Sequence, residues 1–198
     1  LMFDYTVSTD KRDRRFMPTS GYYTSFSQEV PFYSDQPHIL NGFSTSHYKE
    51  LNEDIIGALK FRAYAVNGIG DDDVKVSQRL FLSTTQLRGF EVGKVGPKDG
   101  NDFVGGNYST SLNLEANFPN FFPEKSNAEI GLFLDAGNVW GVDYDSSIAE
   151  SNILRSSTGV SVSWLSPVGP MSFVFASPLK KASTDKTEFF NFSLGTSF

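Results

Sequence analysis

Cysteine is absent from this 198-residue chain, and histidine occurs only as His38 and His47. The first absence removes disulfide frameworks, thiolate metal sites and thiol chemistry, although it says little about compartment. With two imidazoles and no thiol, neither a Ser-His-Asp nor a Cys-His arrangement is suggested. Asn67-Gly68-Ile69-Gly70 is turn chemistry rather than a phosphate loop, because no Lys-Ser/Thr follows at the needed spacing. Asp71-Asp72-Asp73 lacks the alternate spacing of a calcium loop and a paired partner for acid–base work, so it reads as a solvated loop tip. The expectation is a protein that is not an enzyme and that uses no metal or cofactor.

Long apolar runs are missing as well. No stretch approaches the roughly 18 residues that a membrane-spanning helix needs. Positive charge is scarce: 17 Lys and Arg stand against 23 Asp and Glu, giving a net charge of -6. That balance argues against nucleic acid as a partner.

Aromatic side chains, by contrast, are plentiful, at 15% of the chain with 19 phenylalanines. A mean hydropathy of -0.27 is too polar for a helical membrane protein. A transmembrane barrel escapes that objection, because each strand shows one face to lipid and the other to a wet lumen. The length suits one domain with a sizeable core.

The repeating unit is an alternating stretch of about ten residues followed by a turn cluster. Nine stretches are read, near residues 3–13, 21–32, 42–52, 56–67, 109–119, 129–140, 155–166, 170–178 and 188–198. Turn residues separate them at Pro18-Thr19-Ser20-Gly21, at Asn52-Glu53-Asp54, from Pro119 to Asn127, and at Ser166-Pro167-Val168-Gly169-Pro170. No helix-period segment of useful length is visible. Leu1 to Val7 already alternates and no signal peptide opens the chain, so it is expected to start mid-domain.

Two faces follow from the alternation. Leu112, Leu114, Ala116 and Phe118 alternate with Ser111, Asn113, Glu115 and Asn117. Ile130, Leu132 and Leu134 alternate with Gly131, Phe133 and Asp135, and Val160, Val162 and Trp164 with Gly159, Ser161 and Ser163. Phe190, Phe192 and Leu194 alternate with Phe189, Asn191, Ser193 and Gly195. The first set in each pair suits lipid and the second a lumen. A soluble β-sandwich alternates too, and pattern alone leaves it open. Short turns alternating with longer loops favour a barrel, as do aromatics near stretch ends (Phe32, Tyr33, Phe118, Phe121, Phe122, Trp140, Trp164).

The longest connection, about residues 68–109, is expected to be functional. Its second part carries Leu87-Arg88-Gly89-Phe90, Gly93, Gly96-Pro97, Gly100 and Gly105-Gly106-Asn107. So many glycines imply a loop folded back on itself or against another backbone.

These residues carry a family resemblance. Leu87-Arg88-Gly89-Phe90, then Val95-Gly96-Pro97-Lys98-Asp99 and Gly105-Gly106-Asn107, resemble the sixth extracellular loop of BamA-type outer-membrane barrels, with Leu87 in place of the usual valine. Asp13-Arg14-Arg15-Phe16-Met17-Pro18-Thr19-Ser20-Gly21 resembles a periplasmic turn of that family. Leu134 to Trp140, Trp164 to Pro170, and the closing Phe190 to Phe198 follow in the family's order.

The resemblance implies an all-β, transmembrane antiparallel β-barrel, of which this chain holds about the last nine of sixteen strands, without the earlier strands and the periplasmic POTRA repeats. It implies a location in the outer membrane of a Gram-negative cell envelope. The implied function is folding and inserting other β-barrel proteins, with unfolded barrel substrates and the lipid bilayer as partners, and accessory lipoproteins reached through the periplasmic domains. A passive pore, or a translocation or autotransporter-assembly barrel of the same superfamily, remains the alternative.

Site residues are implied in two groups. Arg88, with Gly89 and Phe90, is expected to fold into the lumen and meet Asp135 and secondarily Glu115, which lie on the polar face of consecutive stretches. A guanidinium can form paired hydrogen bonds with such carboxylates. Gly195 is expected to kink the last strand and weaken a lateral seam, with Phe190, Phe192 and Phe198 anchoring that strand in lipid.

Overall fold

The structure, a computed structural model, describes residues 1–33, 35–70, 72–148 and 152–195. Asp71 and Phe198 therefore lie outside the described residues. The elements in chain order are β1 (Met2–Asp10), β2 (Gly21–Pro31), β3 (His38–Asn52), β4 (Ile55–Gly68), β5 (Lys98–Asp99), β6 (Asp102–Phe103), β7 (Tyr108–Phe118), β8 (Ala128–Trp140), β9 (Arg155–Ser166), β10 (Gly169–Lys180) and β11 (Phe190–Leu194). Nine of these form one antiparallel sheet in the order β1-β2-β3-β4-β7-β8-β9-β10-β11, each strand beside its neighbour in sequence. The remaining two make a small hairpin inside the long β4–β7 connection. The only helical turns among the described residues are two 3-10 segments of three residues each.

Turn chemistry explains the boundaries. The Asp13 carboxylate accepts hydrogen bonds from the backbone N–H groups of Thr19 (3.0 Å) and Ser20 (3.1 Å) and from the Thr19 hydroxyl, closing the β1–β2 turn. Asn52 likewise accepts from the Asp54 N–H at the two-residue β3–β4 turn. The register of β9 against β10 slips between Pro178 and Lys180, where proline offers no ladder donor.

The two faces of the sheet are inverted relative to a soluble protein. Asn113, Asp135 and Ser157 are 0% exposed, whereas Leu132 and Leu134 on the other face are 50% and 45% exposed. Period-2 geometry places these sets on opposite sides. Over β4, β7 and β8 the polar face is covered by the β4–β7 connection, and the apolar face is bare. A soluble sandwich buries its apolar face, so the sandwich alternative does not fit. Phe189 departs from expectation: it precedes β11, and its ring packs 5.9 Å from that of Phe175, a bare-face residue, rather than joining the polar set.

Connections at one end of the sheet are short (53–54 and 167–168) or turn-like (11–20 and 119–127). Those at the other end include the long segments 69–107 and 141–154. β1 and β11 form the two edges of the sheet.

Candidate functional site

The β4–β7 connection folds because it carries its own small apolar core. Leu82, Leu87, Phe90 and Val95 pack together with Val139 of β8, with Leu80 against them. A backbone bridge between Leu80 and Gly106 closes the base of the loop. This cluster fixes Leu87 and Phe90 on either side of Arg88 and Gly89, so the arginine is aimed at the wall.

Arg88 meets β8 through three bonds to one residue. Its Nε and Nη2 donate to the two Asp135 oxygens at 2.7 Å each, and its backbone N–H donates to Oδ2 at 3.1 Å. Nη2 also lies 2.9 Å from Glu115 Oε1 on β7. The guanidinium carbon sits 3.7 Å from the centroid of the Phe133 ring. Asp135 is wholly buried and Arg88 nearly so. Burying such charges costs desolvation, which only close, multiply bonded geometry offsets. Lys60 of β4 completes the row, its Nζ 2.9 Å from Glu115 Oε2. Arg62 donates to Asn113 Oδ1 (3.0 Å), and Asn113 Nδ2 donates to the loop carbonyl of Gln86 (3.1 Å). The loop is thus tied to β4, β7 and β8 through polar side chains on one face.

The structure therefore brings Arg88, Asp135 and Glu115 together, with Gly89 and Phe90 alongside. Gly89 has φ of +86°, and a Cβ there would lie 3.0 Å from the Ala176 Cβ. The second group lies elsewhere. Phe190 and Phe192 project from β11 on the bare face, with rings 5.1 Å from those of Phe175 and Phe173 respectively. Gly195 has φ of +106° and stands just past β11.

Several contributors were not singled out in the sequence. Lys60 could have been found: it sits on the polar face of its stretch, in register with Asn113 and diagonal to Glu115. Phe133 was placed on the polar face without a role. Arg79, Asp143, Arg155 and Asp185 carry no motif. Arg79 donates to Asp143 and to the Val74 carbonyl, and Asp143 also accepts from the Val74 N–H (3.0 Å) and Asn107 Nδ2 (2.8 Å). Burial works to raise the Asp143 pKa. The bonds from Val74 and Asn107 and the charge of Arg79 outweigh it and hold the carboxyl below its ordinary range.

Comparison with known proteins identifies this architecture. Residues 1–198 match the Omp85 superfamily domain. The outer membrane protein assembly factor BamA of Neisseria meningitidis serogroup B is 29% identical, over 96% of this chain and 28% of that protein. BamA of Neorickettsia risticii is 27% identical, over 98% of this chain and 27% of that protein. The human sorting and assembly machinery component 50 homolog is 27% identical over 71% of this chain. The crystal structure of Haemophilus ducreyi BamA lacking POTRA domains 1-3 superposes with a TM-score of 0.88 at 27% identity, covering 96% of this chain and 41% of that one. The chain spans little more than a quarter of the length of the BamA relatives it matches. With an apolar bare face, a polar face plugged by an arginine-bearing loop, and a match along its full length, the chain belongs to the Omp85 superfamily of outer-membrane β-barrel proteins.

Proposed function

We propose that this chain forms the C-terminal part of the barrel of an outer-membrane protein assembly factor, which folds and inserts other β-barrel proteins without covalent chemistry. The observation that carries this reading is its similarity, along nearly its whole length, to proteins named as such factors. The mechanism proposed is strand templating at a lateral seam. A free strand edge presents unpaired N–H and C=O groups that pair with an incoming strand. Backbone groups in lipid must be satisfied, so templated pairing lowers the barrier to insertion. β11 suits one wall of such a seam. Its described pairing with β10 runs from Pro170, whose carbonyl accepts from Gly195 N–H (2.9 Å), to Ala176, whose N–H donates to the Phe189 carbonyl (2.9 Å), whereas β9 pairs with β10 from Gly169 to Lys180. The positive φ at Gly195 sits at the end of that short ladder. Unfolded barrel proteins are the proposed substrates and the bilayer the medium. Accessory lipoproteins are proposed to act through periplasmic domains outside this chain.

The test uses the full-length protein in liposomes. An added unfolded barrel protein is followed by its heat-modifiable gel mobility. Acceleration of its folding, reduced by Arg88→Ala or by crosslinking the seam, is the expected result. Absence of acceleration together with steady ion conductance would replace this reading with a passive pore.

A further inference from the structure

Residues 181–189, which join β10 to β11, make contacts that no motif announces. Asp185 is their hub. Its carboxylate accepts from Arg155 Nε at 3.0 Å and Nη2 at 3.1 Å, and from the Ala182 backbone N–H at 2.6 Å. Both charged side chains are completely enclosed, at 0% exposure each. Arg155 opens β9, and its Nη1 donates to the Asn138 side chain and to the Ile153 carbonyl. The connection is thereby fastened to the β8–β9 wall.

Its next residues clasp the Arg88 loop. Glu91 N–H donates to the Lys186 carbonyl (3.1 Å), Lys186 N–H to the Lys94 carbonyl (3.1 Å), and Glu188 N–H to the Gly89 carbonyl (3.2 Å). Phe90 and Thr187 form an antiparallel bridge. Immediately afterwards the Phe189 carbonyl accepts from Ala176 N–H (2.9 Å), and β11 begins at Phe190. Three parts therefore follow in sequence: a residue fastened to the wall, a segment zipped to the loop, and the short-paired strand. Two residues of chain span at most about 7 Å, so β11 has little slack relative to the clasp.

We infer that residues 182–188 are a strap that couples the Arg88 loop to β11, with Asp185 as its positioning residue and Arg155 as the fixed post. The position of the loop then sets how firmly β11 stays paired with β10. This builds on the reading of β11 as one wall of a seam. Release of the strap would free the strand from its Phe190 end, where the two are joined.

The experiment is hydrogen exchange on the full-length protein in lipid nanodiscs, without any substrate. Asp185→Asn keeps the size and removes the charge. Exchange is expected to quicken about tenfold or more at 186–188, 89–94 and 190–194 together, while β7 and β8 stay unchanged. In that background a disulfide between Glu91→Cys and Lys186→Cys should restore protection at 190–194, and reduction should remove it. Quickening confined to 182–188, or a crosslink that leaves 190–194 unprotected, overturns the strap. If Asp185→Asn fails to fold, the same disulfide in the otherwise native sequence should slow exchange at 190–194 relative to its reduced form, and no difference overturns the inference. Coupled exchange without acceleration in liposomes would refute the assembly reading and leave the strap standing. Acceleration with uncoupled exchange would refute the strap alone.

Discussion

Two of the buried arginines hold the long-loop end of this chain from opposite directions. Arg88 reaches out of a loop to the wall, where Asp135 and Glu115 stand on β8 and β7. Arg155 reaches out of the wall to a loop, where Asp185 awaits it. The first belongs to a row of four charges, because Lys60 also bonds Glu115. Among the described residues, the second meets the carboxylate of Asp185, with neutral oxygens from Asn138 and Ile153 around it. A network tolerates loss of a peripheral member, whereas loss of one member of an enclosed ion pair leaves the other charge buried. The difference also separates roles. The Arg88 row fixes where the loop sits, and the Arg155 pair fixes what the loop can hold.

Breaking the first arginine should have the largest effect. Arg88→Ala leaves Asp135 buried without its partner, a loss of about 3–5 kcal/mol. Unfolding of the full-length protein, with protease nicking in 69–107 as a second readout, checks it, and unchanged values in both would refute the lock. Asp185→Asn should come next, at about 1.5–3 kcal/mol, because asparagine keeps an acceptor for Arg155 but not the charge. Glu115→Gln sharpens the contrast. Arg88 keeps all three bonds to Asp135, so a loss of about 1 kcal/mol is expected in the same unfolding experiment. A loss equal to that of Arg88→Ala would show that the row has no spare capacity.

The smallest effect concerns a third arginine, Arg79, whose partner Asp143 is partly exposed. The Asp143 pKa is depressed on folding, so its contribution is complete above the ordinary aspartate value of about 3.9. It is lost as pH falls below that value and through the depressed one. Protection factors at 74–79 and 141–148, taken against the intrinsic exchange rate at each pH, should therefore be steady from neutrality down to about pH 4 and fall in stronger acid. Asp143→Asn should abolish that acid dependence, and a variant that retains it would assign the effect to another group.

Much of the fold was legible because strand geometry has a period of two. Once Leu112 and Leu114 are set against Asn113 and Glu115, the pleat decides the face of every residue in the strand. That parity is why Glu115 and Asp135 could be paired in advance across neighbouring strands. Arg88 was legible through the resemblance of Leu87-Arg88-Gly89-Phe90 to the family's loop motif, while the glycines around it implied only a loop folded back on itself. Phe189 was misplaced because alternation ends where a strand ends, and the boundary is set by the clasp at Glu188 rather than by local pattern.

Arg155 and Asp185, by contrast, are separated by β9, β10 and the turn between them, and each taken alone looks like an ordinary rim charge. The sequence by itself determined the antiparallel order, the two faces and the loop that carries Arg88, because hydrophobic alternation and turn residues act over a few positions. Only the tertiary structure decided that Lys60 and Arg62 of β4 and the Phe133 ring join the contacts around Arg88, and that a buried ion pair straps the loop to the last strand. Those contacts join residues far apart in the chain, and complementarity between distant charges leaves no local signature.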